Sequence, residues 1–457
     1  MRTLVAHLDG IQRRLDALAR QHHVPGAALA VSRGDELLEF ATGVISTRTG
    51  VAATPDTVFQ IGSNTKLMTT TLIMQLVEAG RADLDAPVRR YVPSLELAEP
   101  GVADEITLRH LLTHTSGIEG DYFADFGRGD DATARYVGSL ATVGLIHRPG
   151  QLWSYCNSGF VLAGYVVEQL TGQPFWQVLQ ERICEPLGLG SVTVLAEEMI
   201  ARRCAVGHQP GPGGVPTVPP VVIMGMASAP AGSRTVSTAA DLAAFARLHL
   251  GDGTAPDGTR LLSAASVAAM QQAQADRPAD TVAPAAQGLG WMLADWSGTR
   301  VLGHGGETIG QTSFLQALPD RDLVVALLTN SAGGERLWLP LGRWLFETLA
   351  DVAMPAVPRP ADPAPELRLA DYAGTYERLG VRYEVAVEDG QLVLRTEFLG
   401  ALAELDGPTQ PPARLRAVTD EAFHAASADG ESLVRFQEFR AGRPEYLFTG
   451  RVARRRP

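Results

Sequence analysis

The chain has 457 residues, too many for one compact core, so at least two domains are expected. Its net charge of −12 argues against a nucleic-acid partner, although the last seven residues, RVARRRP, are locally basic. Hydrophobic residues at 45% and charged residues at 20% are an ordinary globular balance, and no stretch approaches the ~18 uninterrupted apolar residues of a membrane span.

Residues 1–22 break every apolar stretch with a polar residue, which argues against a secretory leader and for a cytoplasmic protein. Leu4, Leu8, Ile11, Leu15 and Leu18 recur instead at helical spacing. Three cysteines, Cys156, Cys184 and Cys204, cannot all pair and lack metal-ligand spacing, which fits a reducing compartment.

Residues 26–32 (GAALAVS) and 36–42 (ELLEFAT) read as a hairpin around Arg33-Gly34-Asp35. The stretch FQIGSNTKLMTT, residues 59–70, then places Ser63 three residues before Lys66 at the head of an apolar helical run. Residues i and i+3 share a helix face, so the lysine can reach the hydroxyl. Serine must hand its proton to a neighbour before it attacks, and a lysine screened from water can take it. Alone, the same spacing fits a helix cap beside a solvated lysine.

Residues 107–118, TLRHLLTHTSGI, hold His110 and His114 four apart, but no acidic third ligand accompanies them and no metal is expected. The stretch PGQLWSYCNSGF, residues 149–160, leads into another helical run. Tyr155 and Asn157 there face one cavity if the backbone is extended, Tyr155 as a proton relay and Asn157 as a partner for Lys66 and a substrate amide. Residues 205–230 are rich in Gly and Pro, as expected of a pocket wall or lid. Helices over 239–250 and 263–273 and a strand over 288–295 follow.

The stretch VLGHGGETIG, residues 301–310, reads as a strand carrying His304, Gly305 and Gly306. The glycines let a substrate backbone lie along its edge, and His304 is expected over the serine as a cation or donor. Strands over 312–318 and 323–330 and a helix over 335–349 come next. Residues 351–367 are a proline-rich linker. Alternating runs at 372–376, 382–387, 391–396, 432–439 and 445–451 then predict a small antiparallel barrel. The domains expected are 1–350, the linker, and 368–457.

Ser63-Asn64-Thr65-Lys66, Tyr155-Cys156-Asn157 and His304-Gly305-Gly306 stand in the order of the S-x-x-K, Y-x-N and K/H-x-G motifs, and the chain resembles the penicillin-binding protein and class C β-lactamase superfamily. The phrases LLTHTSGI and VSTAADLAAF carry the same likeness, which covers about residues 5–350. It implies an α/β (α+β) domain, an antiparallel sheet with a helical subdomain, followed here by a small all-β lipocalin-like barrel.

Residue by residue, the likeness makes Ser63 the nucleophile, Lys66 its base and Tyr155 the relay, with Asn157 holding substrate and lysine. The oxyanion hole falls to the N–H groups of Ser63 and Glu307, with Gly305 and Gly306 on the substrate. Apart from the likeness, Arg443 and Arg451, basic residues flanking the final barrel strand, are candidates to meet a substrate carboxylate or a carrier protein's acidic surface, the alternative being a solvated basic end. Histidine in place of the third-motif lysine resembles the esterases, transacylases and peptide-processing members and speaks against a β-lactam substrate.

The barrel and linker are similar to penicillin-binding-protein-type thioesterases of nonribosomal peptide assembly. These load a peptidyl thioester on serine and cyclise it head to tail, with a peptidyl carrier protein as candidate partner and no cofactor. An esterase or D-aminopeptidase shares the architecture. A noncatalytic peptide-binding protein would require loss of Ser63, Lys66 or Tyr155, and all are present.

Overall fold

The structure, a computed structural model, describes residues 4–281, 285–406, 410–427 and 430–457. Helix α1 (Leu8–Gln21) buries Ile11, Leu15 and Leu18 as its spacing predicts. Leu8 is exposed, because the chain before it turns as a 3₁₀ segment and sends Leu4 into the core instead.

Strands β1 (Gly26–Arg33) and β2 (Glu36–Gly43) form the expected hairpin. β1 is apolar throughout because both its faces are covered. Ala28 and Ala30 face the main helical core, while Ala27, Leu29 and Val31 face the core that holds α1. The sheet continues with β3 (Ala275–Asp276), β4 (Ala285–Gln287), β5 (Met292–Trp296), β6 (Thr299–Thr308), β7 (Gln311–Leu318) and β8 (Leu323–Thr329). Its eight antiparallel strands run in the order β2-β1-β8-β7-β6-β5-β4-β3. The strand predicted over 288–295 starts only at Met292, since Gly290 takes a left-handed turn at φ 75°.

Between β2 and β3 lies the helical region, with α2 (Thr65–Glu78), α3 (Asn157–Thr171) and α4 (Ala239–Leu250) at its centre. α2 is buried on every side from Thr65 to Met74, as a central core helix must be. Its threonines stay satisfied by returning their hydroxyls to the helix: Thr70 Oγ1 donates to the Lys66 carbonyl and Thr71 Oγ1 to that of Leu67, both at 2.9 Å. Within residues 107–118 only Leu108–Leu112 is helical, and His114 takes a left-handed φ of 59°, so it shares no helix face with His110.

Helix α5 (Glu335–Ala350) packs beside α1. Beyond residues 351–367 comes a closed eight-stranded barrel, β9 (Gly374–Arg378), β10 (Val381–Glu388), β11 (Gln391–Phe398), β12 (Ala413–Ala417), β13 (Ala422–Ser427), β14 (Gly430–Arg440), β15 (Arg443–Phe448) and β16 (Val452–Arg455). Three differences from the expected strands matter. Tyr372 ends a short helical turn rather than opening a strand. β12 and β13 are strands that the expected runs did not include: ARLRA alternates strictly but spans only five residues, and AFHAAS is too apolar to alternate. The last run breaks at Thr449–Arg451, where the Thr449 N–H reaches the Arg451 carbonyl at 3.1 Å, so Arg451 sits in a turn instead of on a strand.

Candidate active site

Ser63 lies in the 3₁₀ turn Gly62–Asn64 that runs straight into α2. The turn is tied down from the sheet: Asn64 Nδ2 donates to Ser313 Oγ at 2.8 Å, and Ser313 Oγ donates to the Ile61 carbonyl at 2.7 Å. Two glycines permit the approach. A Cβ on Gly306 would stand 2.0 Å from the Ile61 carbonyl oxygen, and one on Gly232, at φ 103°, 2.0 Å from that of Gly62.

Lys66 is wholly buried beneath the serine. Its Nζ donates to Ser63 Oγ at 3.0 Å, Asn157 Oδ1 at 2.8 Å and the Ala231 carbonyl at 2.6 Å, and it lies 4.9 Å from the centre of the Tyr155 ring. Burial, aided by the Arg451 guanidinium, holds the lysine well below the usual ammonium range, with Asp121 pulling weakly the other way. It is thereby suited to accept a proton from the serine.

Cys156 is extended, at φ −133° and ψ 106°, so Tyr155 and Asn157 both face the cleft while the thiol points away. Its sulfur caps α3 by accepting the Gly159 N–H at 3.2 Å. Tyr155 is hydrogen-bonded to Ser63, and burial pushes its phenol up, so it stays protonated and can pass a proton rather than act as a phenolate. Behind it, His114 stacks on the ring at 4.3 Å and accepts the Cys156 N–H on Nδ1 at 3.0 Å.

β5 pairs with β6 only as far as Gly303, and β6 runs on past that pairing to Thr308. The Glu307 amide lies beside the Ser63 turn: a Cβ on Gly62 would be 2.6 Å from it. His304 corrects the expectation of a cation or donor. Burial and the nearby Lys66 push its imidazole down to about 3, so the ring is neutral. The 2.6 Å contact from Nδ1 to the Gly305 carbonyl places the proton on Nδ1, because a carbonyl can only accept. Nε2 is then a lone-pair nitrogen, buried and without a hydrogen-bond partner among the described residues.

Ser63, Tyr155, Asn157, His304, Gly305, Gly306, Glu307 and Arg451 all line one cleft of about 720 Å³, with Lys66 below its floor. Arg443, the other basic residue near the barrel's end, pairs across to Arg440 in an exposed hairpin and lies outside this cleft. The barrel forms a wall of it through Arg378, Phe398, Leu402, Phe448 and Arg451.

Sequence reasoning missed Asp121 and Arg378. Asp121 is buried and ion-paired to Arg378 at 2.7 Å and to Arg451 at 2.8 Å. It follows directly on the LLTHTSGIEG stretch, but nothing in the spacing couples it to an arginine 257 residues away. Ala231 was signalled only as the end of the Gly/Pro-rich excursion.

Among the described residues no cluster of His, Cys, Asp and Glu could hold a metal ion, and no helix is long and apolar enough to cross a membrane.

A relative described as penicillin-binding protein 4, from Amycolatopsis lactamdurans, is 46% identical over 372 residues, which is 81% of this chain and 97% of its own. The crystal structure of SurE is similar over 99% of this chain and all of its own, at 31% identity and TM-score 0.80, and SurE has also been solved with D-Leu. A D-amino acid amidase from Ochrobactrum anthropi SV3 shares 27% identity and TM-score 0.58 over 71% of this chain and 91% of its own. The family model for Beta-lactamase matches residues 11–350. With a serine, a buried lysine and a tyrosine hydrogen-bonded at one cleft, the chain belongs to the Beta-lactamase family and is an enzyme of its serine hydrolase and acyltransferase kind.

Proposed function

We propose that this chain is a stand-alone penicillin-binding-protein-type thioesterase that loads a peptidyl thioester on Ser63 and releases it chiefly by head-to-tail cyclisation. The observation that carries the reading is the Ser63–Lys66–Tyr155 unit at the floor of a roomy cleft walled by the barrel. The likeness to SurE covers 99% of this chain, barrel and catalytic domain alike. The D-Leu complex of that protein and the D-amino acid amidase favour a D-residue at the acyl carbon.

In this reading Ser63 Oγ attacks the thioester carbon as its proton passes to the Lys66 amine. The carbonyl electron pair moves onto oxygen, where the N–H groups of Ser63 and Glu307 receive it. Collapse expels the thiolate, which takes the proton back from Lys66 through the Tyr155 hydroxyl and leaves acyl-Ser63. The substrate's own amine then attacks the ester carbon, giving its proton to Lys66 by way of Tyr155. Ser63 Oγ departs and regains that proton, and the macrocycle is free. The lone pair on His304 Nε2 serves the acceptor side, taking an N–H of the incoming amine. Gly305 and Gly306 hold the peptide backbone along β6, and Arg451 meets the polar end of a substrate or its carrier.

Water as acceptor gives a linear acid instead. The amidase likeness, which lacks the barrel's share of the chain, favours hydrolysis of D-peptides or esters as a second reading.

Intact mass after incubation with a peptidyl thioester bearing a D-residue at its carboxyl end tests both readings. An adduct of peptidyl mass on Ser63 followed by a cyclic product is expected. A linear acid as sole product would leave a hydrolase, and no adduct would remove the mechanism.

A further inference from the structure

Asp121 sits on the seam between barrel and catalytic centre, with its side chain 4% exposed. Its Oδ1 accepts from Asn157 Nδ2 at 3.1 Å. Its Oδ2 accepts from Arg378 Nη1 at 2.7 Å, and Arg451 Nε stands 2.8 Å from the same oxygen. The other end of the Asn157 amide, Oδ1, accepts from Lys66. An amide has one donating and one accepting end, so a carboxylate that holds the NH₂ group leaves the oxygen for the lysine. A protonated or flipped neighbour would turn a donor toward the lysine's own N–H groups. A buried carboxylate in turn requires cations, and both of its arginines come from the barrel, from the end of β9 and from the turn before β16.

We propose that Asp121 is a positioning residue through which the barrel sets the working state of Lys66: its carboxylate fixes the Asn157 amide toward the lysine, and Arg378 and Arg451 screen the negative charge that the lysine would otherwise feel. The inference rests on Lys66 being the base for Ser63. The groups that face Lys66 are Tyr155 and Cys156 ahead of α3, His114 behind them, His304 on β6, and Asp121 and Arg451 themselves. Glu119 also looks onto Asp121 from the same loop and accepts the barrel's Leu379 N–H at 3.1 Å. The charges that can be removed without touching the reacting atoms are those of Asp121 and its partners Arg378 and Arg451.

The sign of the effect separates this role from simple structural support. Attack needs the neutral lysine, so the rate of Ser63 acylation rises with pH along an acid limb. Asp121→Asn removes a negative charge and leaves two arginines unopposed, which disfavours the protonated lysine and should move that limb to lower pH by about one unit. Arg451→Met leaves Asp121 underscreened and should move it upward by a similar amount. Arg378→Met should also move it upward, so the test does not depend on Asp121→Asn folding. The double variant Asp121→Asn with Arg451→Met should return the limb toward that of the parent chain.

The measurement is kcat/KM for acylation by a small uncharged activated ester across pH, with the adduct counted by intact mass. Acid limbs that coincide in all variants, or that move in one direction for the aspartate and arginine variants alike, would overturn the proposal. A parent chain that forms no ester adduct on Ser63 would instead sink the catalytic assignment beneath it.

Discussion

The floor of the cleft and its barrel wall are held together by different means. The floor hangs on the starts of two helices, α2 and α3, whose bodies are buried among apolar side chains, and its reacting groups touch one another directly. The wall is assembled from a turn and strand ends of a domain with its own separate core, and it meets the floor through ion pairs to Asp121 and a small apolar seam of Trp153, Ile146, Tyr446, Phe448 and Val452. Chemistry thus resides where the protein is most rigidly packed, while the shape of the substrate is read by an added domain. Changes to the floor should therefore abolish turnover of every substrate. Changes to the wall's apolar lining should discriminate between them.

The largest effect should come from Ser63→Ala, which removes the nucleophile and should leave no adduct by intact mass with any ester or thioester. The serine does not cap α2 through its side chain, so the melting temperature should stay close to that of the parent. Lys66→Ala should cost nearly as much, ~10⁴-fold or more, because nucleophile and base act as one unit and their losses do not add. Substantial activity in Lys66→Ala would place the base elsewhere. Tyr155→Phe comes next: it keeps the stack on His114 but loses the relay, and kcat should fall roughly 10²–10⁴-fold with KM little changed. A purely packing role predicts almost no loss.

The wall gives smaller and more selective effects. Leu402 and Phe398 line the cleft from the barrel, well away from the serine's hydrogen bonds. Truncating either to Ala should lower kcat/KM for a long peptidyl thioester by about tenfold, the equivalent of ~1.4 kcal/mol of lost apolar contact. A small activated ester should be turned over as before. Equal losses on both substrates would erase the division between floor and wall.

The same division explains what could be read from the sequence. Ser63 and Lys66 were legible because a helix fixes their separation, and Tyr155 and Asn157 because one extended residue puts both on one side. The run at residues 26–32 announced a strand, but that both its faces are covered came only with the fold. Asp121 and Arg378 were not legible, because a buried ion pair across 257 residues leaves no periodic trace. Arg451 was suggested only by its place in a basic end, and its actual position depends on a break in the last strands that no turn residue beyond Gly450 announces. His304 was identified by its motif, yet its charge state follows from burial and from Lys66, neither of which spacing can express. β12 and β13 went unread for another reason: the alternation of ARLRA is only five residues long, and AFHAAS is mostly apolar and shows no alternation.

The last effect is on stability rather than turnover, and it concerns acid. His304 and His249 are pushed down to about 3 by burial, with Lys66 adding to it for His304, and His114 is lowered well below its usual range. All belong to the catalytic domain. His304 and His249 are neutral in the folded chain between about pH 3 and their unfolded value near 6.5, where the unfolded chain binds the extra proton, so stability falls as pH drops through that window. From pH 7 to pH 5 the loss for each of these two is about 2 kcal/mol. His249 isolates the effect because it is remote from the cleft. Its ring lies edge-on to Phe245 and Trp291 and within 3.3 Å of Thr71 Oγ1 through Nε2. His249→Gln keeps a hydrogen-bonding group for Thr71 but cannot titrate, so it should lower stability at pH 7 through poorer packing while flattening the decline toward pH 5. All six tryptophans precede residue 351, so denaturant titrations followed by tryptophan fluorescence report chiefly the catalytic domain, with Trp153, which meets the barrel's Phe448, also sensing the seam. A decline with pH that is as steep in His249→Gln as in the parent would show that this histidine is not what acid attacks, and would shift the burden to His114 and His304 beside the serine.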